Sequence, residues 1–185
     1  KVQAGHCLSI NGRETEAGTT SLIKNNMFPS KQPSTLLKVD GATHTFNAMS
    51  GITHRGMSAT LSALIHDEVY AEIIGDGVHV SDDALKLFFK AKPEDKVILI
   101  SDALPITYSD MKETVFADSK IYYDGDKATS ADGTIAGSTK LLPEIIKILG
   151  KKGMFKPQYI ENVYHYHGLD PIGEIEWDED FNPRF

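Results

Sequence analysis

The chain has 185 residues, enough for one domain with a proper core or for part of a larger one. With 41% hydrophobic and 24% charged residues it has the composition of an ordinary soluble globular protein. Its formal net charge of -7 argues against general attraction to nucleic acid or an anionic membrane, while leaving room for a local basic pocket. A single cysteine, Cys7, excludes an internal disulfide framework and favours a reducing compartment. No apolar run approaches the roughly 20 residues that span a bilayer, and the lone cysteine makes a cytoplasmic location the expectation. The chain opens at Lys1-Val-Gln-Ala-Gly-His6 directly on a strand-like segment, and the expectation is that something upstream has been removed.

In chain order, the first predicted strand is Val2 to His6. The stretch from Thr19 to Lys38, with Asn25-Asn26, Pro29 and Pro33, reads as an inserted loop, with a weak helix over Arg13 to Lys24 as the alternative. A second strand is expected over Gly41 to Phe46, then a helix over Ser58 to His66 whose apolar face uses Leu61, Leu64 and Ile65. Val69 to Ile74 reads as a third strand, followed by Gly75-Asp-Gly-Val-His79. Ser81-Asp-Asp-Ala starts a helix with Leu85, Phe88 and Phe89 on its apolar face. Lys96 to Asp102, with its continuous apolar run, fits a strand covered on both faces. Strand-helix alternation with parallel strands predicts an α/β fold. After Asp102 the pattern changes: Val115-Phe116, Lys120 to Tyr123 and the Asp124-Gly-Asp and Asp132-Gly turns read as hairpin pieces. Thr139 to Leu149 and Gln158 to His167 return to helix, and Gly173 to Trp177 reads as a last strand.

His6, His44, His79 and Asp102 each fall at the carboxyl end of a predicted strand. In a β/α barrel all such ends face one mouth, where catalytic groups collect. Two histidines on adjacent strands suit a catalytic divalent metal, and an aspartate at the last strand suits proton transfer. A lone strand-end histidine is ordinarily a satisfied polar residue; the repetition is the signal. His165 and His167 lie two apart, on different helix faces, and do not read as a chelate.

The segments ATHTFNAM, THRG, YAEIIGDGVHV, VILISDAL and DGTIAGS closely resemble, in order, the N-acetylglucosamine-6-phosphate deacetylases of the amidohydrolase superfamily. The resemblance runs from about Val2 to about Leu149. It implies the C-terminal half of a (β/α)8 (TIM) barrel with part of a small β-sandwich domain. The implied boundaries are 1–112 for strand-helix units 5–8 of the barrel and 113–136 for a β-hairpin segment. Residues 137–172 would then be a helical return to the barrel, and 173–185 a β-sandwich strand. His6 and His44 resemble the metal-ligating histidines, and Asp102 the catalytic acid-base. His79 looks like the residue that contacts the sugar, Asn47 and Ala48 like the phosphate-binding turn, and Arg55 like the phosphate-binding arginine. Gly137 and Ser138 resemble the active-site loop, and with Thr139 also read as the cap of the following helix. The resemblance implies a divalent metal, zinc first, with iron or another divalent ion as alternatives. It further implies an amino-sugar phosphate substrate and a homodimer, with no nucleic acid or membrane partner. A glutamate ligand and the first half of the barrel are expected upstream of Lys1.

With that upstream half present, the expected reaction is hydrolysis of the N-acetyl group of N-acetylglucosamine 6-phosphate to glucosamine 6-phosphate and acetate; residues 1–185 alone are expected not to catalyse it. Two other readings stay open: a catalytically incomplete sugar-phosphate-binding or partner protein of the same fold, and an amidohydrolase acting on another amide.

Overall fold

The computed structural model describes residues 1, 3–4, 40–55 and 58–184. The expected insertion at 19–38, the alternative helix from Arg13, His6 and Cys7 lie outside the described residues. The chain divides into two units. One comprises Lys1–Ile73, Asp83–Leu99 and Lys156–Ile172; the other comprises Ile74–Asp82, Ile100–Phe155 and Gly173–Phe185.

The first unit is built on a four-stranded sheet in the order β1 (Gln3–Ala4), β2 (Gly41–Ala42), β3 (Tyr70–Ile74) and β4 (Val97–Ile100). β1 pairs parallel with β2, and β2 parallel with β3, in register Gly41 to Tyr70 and Ala42 to Ala71. Parallel neighbours need crossover connections, and α1 (Ala59–Ile65) and α2 (Asp82–Ala91) lie in those between β2 and β3 and between β3 and β4. Val97, Ile98 and Leu99 are buried, as the unbroken apolar run of β4 requires.

α1 starts where Ser58 Oγ accepts the Leu61 amide at 2.9 Å. Its buried side is not the expected one. Ala59, Thr60, Ser62, Ala63 and Leu64 are buried, whereas Ile65 is 59% exposed. Small side chains can be enclosed by a close-lying surface, and that burial outweighs the pattern of large ones. α2 buries Leu85 and Phe88 as expected, with Phe88 edge-on to Phe89 and Phe89 stacked on Tyr159 at 5.1 Å. Tyr159 belongs to α4 (Gln158–His167), whose buried Asn162 donates to the Glu94 and Val97 carbonyls, both at 2.7 Å. Those bonds tie the helix to the main chain entering β4.

The second unit carries the antiparallel sheet β5 (Glu113–Phe116), β6 (Ser119–Tyr123) and β7 (Ala128–Ser130). Ile121 and Ala128 pack with Leu104 and Ile106 in its core. α3 (Leu142–Lys151) buries Ile145, Ile146 and Leu149. It begins three residues beyond Thr139, whose hydroxyl donates to the Asp126 carbonyl at 2.6 Å. Thr139 is therefore not the helix cap. Glu144 instead reaches back to accept the Leu141 amide at 3.0 Å. A last antiparallel pair joins β8 (Glu176–Trp177) to β9 (Pro183–Arg184).

Candidate active site

The second expected strand ends earlier than its sequence pattern predicts. β2 stops at Ala42, and the chain turns through His44, Phe46 and Ala48 with φ of 35°, 80° and 49°. Non-glycine residues rarely adopt positive φ, and such conformations persist only where the surroundings over-determine them. Bonds that hold this turn include the Thr45 amide donating to the Glu72 carbonyl at 2.8 Å, the Asn47 amide to the His44 carbonyl at 3.0 Å and the His44 amide to the Glu72 carboxylate at 3.4 Å. His44 is buried, and its Nδ1 lies 3.1 Å from the Asn47 carbonyl. A carbonyl only accepts, so Nδ1 carries a proton; in the neutral ring the lone pair is then on Nε2. This is the arrangement in which an outer hydrogen bond orients a metal-ligating imidazole. His44 thus fits the metal role by its own chemistry. Among the described residues no group of three or more His, Cys, Asp and Glu side chains could hold a metal ion, and His6 lies outside them.

The expected phosphate turn, Asn47 and Ala48, is half-buried beside His44. The Asn47 side-chain amide also donates to the His44 carbonyl, at 3.3 Å. Arg55 is on an exposed loop in which Thr53 Oγ1 donates to the Arg55 carbonyl at 3.0 Å. Among the described residues, no backbone hydrogen bond joins Arg55 to the turn.

Within the second unit, His79, Asp102, Gly137 and Ser138 are brought together from three separate stretches of chain. Asp102 is exposed and has φ of 51°. Its carbonyl accepts the Ser138 amide, and the Ser138 carbonyl accepts the Leu104 amide, both at 2.8 Å. Gly137 allows this approach: a Cβ there would lie 2.5 Å from the Asp102 carbonyl oxygen. A recess is lined by Asp76, His79, Asp126, Lys127, Gly137 and Ser138 among others.

His79 is the expected sugar contact, and here both of its ring nitrogens are engaged within the protein. Nδ1 lies 2.7 Å from Asp76 Oδ2 and Nε2 2.6 Å from the Ala136 carbonyl. Burial opposes the imidazolium charge. The bonds to Asp76 and Ala136, with the negative charges of Asp76 and Asp102, outweigh it and hold the pKa above that of free histidine. Asp76 is itself buried; burial works against its charge. The bonds from His79, Val78 and Ser138 nevertheless keep its carboxyl well below the usual carboxylate range. Nothing in the Gly75-Asp76-Gly77 triplet by itself marks Asp76 as a functional residue, since Asp between glycines after a strand suits an ordinary turn.

These features define an α/β chain with the fold of solved sugar-phosphate deacetylases. A Thermotoga maritima N-acetylglucosamine-6-phosphate deacetylase matches with TM-score 0.71 and 27% identity, over 78% of this chain and 44% of that one. The Pasteurella multocida enzyme of the same name matches with TM-score 0.69 and 25% identity, over 79% and 42%. Among curated relatives, the Bacillus subtilis N-acetylglucosamine-6-phosphate deacetylase is 40% identical over 98 residues, covering 52% of this chain and 24% of its own length. A Shewanella N-acetylgalactosamine-6-phosphate deacetylase is 33% identical over 98 residues, covering 53% and 25%. No family model matches the chain. The chain is consistent with a segment of the N-acetylglucosamine-6-phosphate deacetylase family, and it spans about a quarter of the length of these two curated relatives.

Proposed function

We propose that the protein hydrolyses the N-acetyl group of N-acetylglucosamine 6-phosphate, releasing acetate and glucosamine 6-phosphate. The observation that carries this reading is the similarity to the Bacillus subtilis deacetylase, and the His44 turn supports it. On this reading the four-stranded sheet is an arc of a (β/α)8 barrel and 173–185 contributes to a small β-sandwich. The protein is then a cytoplasmic homodimer.

His6 and His44 would hold the divalent ion, zinc or a similar metal. When bound, such an ion lowers the pKa of a water molecule and polarises the acetyl carbonyl. Asp102 takes a proton from the attacking water as its oxygen bonds to the acetyl carbon, then returns it to the nitrogen as the carbon–nitrogen bond breaks. Asn47, Ala48 and Arg55 bind the remote phosphate, which positions the amide without taking part in the chemistry. His79 contacts the sugar, exchanging its bond to the Ala136 carbonyl for one to the substrate, beside Gly137 and Ser138.

The Shewanella relative favours a second reading in which the sugar is N-acetylgalactosamine 6-phosphate. The test is acetate release from both sugar phosphates by the protein with added zinc, alongside Asp102→Asn. The expectation is faster turnover of the gluco sugar and a loss of about 10²–10⁴-fold or more in the variant. Faster turnover of the galacto sugar reverses the substrate assignment. Binding with no release supports the sugar-phosphate-binding alternative, and normal turnover by Asp102→Asn removes it as acid-base.

A further inference from the structure

Asp76 uses its whole accepting capacity inside the protein. Oδ1 accepts the Val78 and His79 amides, each at 2.9 Å. Oδ2 accepts His79 Nδ1 and Ser138 Oγ, each at 2.7 Å. One carboxylate, 3% exposed, therefore fixes the loop that carries His79, the ring of His79, and the residue after Gly137.

The partners also decide the state of the ring. The Ala136 carbonyl can only accept, and the Asp76 carboxylate, which receives four donors, is an acceptor as well. Both His79 nitrogens must therefore carry protons. A neutral imidazole has one N–H and would leave one of these two short contacts with no hydrogen, a nitrogen lone pair facing an oxygen lone pair.

We infer that Asp76 is a positioning residue of the proposed hydrolysis, acting through His79. It holds the ring as a double donor with Nδ1 committed to itself, so that Nε2–H is the group offered outward. The Ala136 carbonyl satisfies that N–H in the structure as it stands, and a sugar hydroxyl or carbonyl oxygen would take its place. Ser138 links the same carboxylate to the segment bonded to the Asp102 main chain, so His79 and Asp102 are held by one network within this unit. The kinetic consequence rests on the deacetylase reading; the ring state does not.

Two measurements separate the two. In the first, the ring nitrogens of His79 are titrated by NMR in the intact protein and in Asp76→Asn. The expected wild-type result is both nitrogens protonated at about pH 7, with a midpoint above the ordinary histidine value of roughly 6.5. In Asp76→Asn the midpoint falls to or below that value. The charged groups that face or line this recess are Asp76, Asp102, Asp126 and Lys127, and the asparagine change removes only the first. A neutral His79 in the wild-type protein at that pH overturns the inference with no variant required, as does an unchanged midpoint in a folded Asp76→Asn.

The second measurement is the pH profile of acetate release. Asp76→Asn is expected to lower kcat by about 10- to 100-fold, by analogy with the loss of an outer partner that orients a metal-ligating histidine. Its activity should fall at lower pH on the alkaline side than in the wild type. A profile that keeps its wild-type shape shows that Asp76 acts on folding alone and sinks the positioning role. If no protein form releases acetate, the deacetylase reading fails while the titration still decides whether Asp76 sets the ring.

Discussion

Lys92 donates its ammonium to the main-chain carbonyl of His66 at 2.7 Å, and to that of Ala63 at 2.8 Å. Both carbonyls belong to the C-terminal end of α1, which lacks a basic residue in its own last turn. A lysine 26 residues further along thus serves the end of this helix, where positive charge is favoured.

Lys92 is 3% exposed, and burial pushes its pKa down to about 8, against the raising influence of Asp67 and Glu68. The folded value lies below that of an unfolded lysine, about 10.4. Between these values the unfolded chain holds the extra proton, so the stability owed to Lys92 rises with pH across that window and is smallest below it. Lys92→Met should cost about 1–3 kcal/mol at neutral pH by leaving acceptors unpaired. Denaturant titrations at several pH values check this: the gap between wild type and variant should widen toward high pH. A constant gap would mean that the amine has the same pKa in the folded and unfolded chain.

Gly137→Ala places a methyl group 2.5 Å from the Asp102 carbonyl oxygen and 3.0 Å from Leu104 Cγ. The nearest atom is backbone, held in the paired hydrogen bonds to Ser138, so it cannot rotate away. A loss of about 1–3 kcal/mol is expected, as for other overpacked sites. The His79 ring signals should shift as well, since Ser138 carries the strain to Asp76. Wild-type stability with unshifted ring signals would show that the two segments separate at little cost.

On the proposed function, His44→Ala should abolish tight binding of the metal ion, because it removes one of the two histidines proposed to hold it. Metal content after dialysis against a weak chelator measures it. Full occupancy in the variant removes His44 as a ligand.

Arg55→Ala should raise KM for the phosphorylated sugar and leave weak binding of the unphosphorylated sugar unchanged. A guanidinium recognises phosphate by paired hydrogen bonds, and the bare sugar offers no such charge. Equal weakening of both would mean that Arg55 acts through packing or assembly.

Much of the element pattern was legible. The apolar run ending in Ile100 specifies a buried strand, because a strand covered on both faces has no polar side. α4 occupies the expected Gln158–His167, ending where Gly168 turns left-handed with φ of 70°. The His44 segment and the Gly137-Ser138 loop were also visible as residues and motifs. Their conformations were not. Nothing local in Gly41 to Phe46 distinguishes a six-residue strand from two residues and a strained turn, since the bond that holds the turn comes from Glu72.

The same limit explains Asp76 and Lys92. On sequence alone one is a turn residue and the other a surface lysine at a helix end. Their meaning comes from Ser138, 62 residues beyond Asp76, and from Ala63, 29 residues before Lys92. The sequence by itself determined the α/β alternation, the candidate chemistry and the kinship, because these depend on residue type and short spacing. The tertiary structure alone decided which polar groups are buried together. Only there does desolvation make a carboxylate, an imidazole and a hydroxyl depend on one another for their charge and orientation.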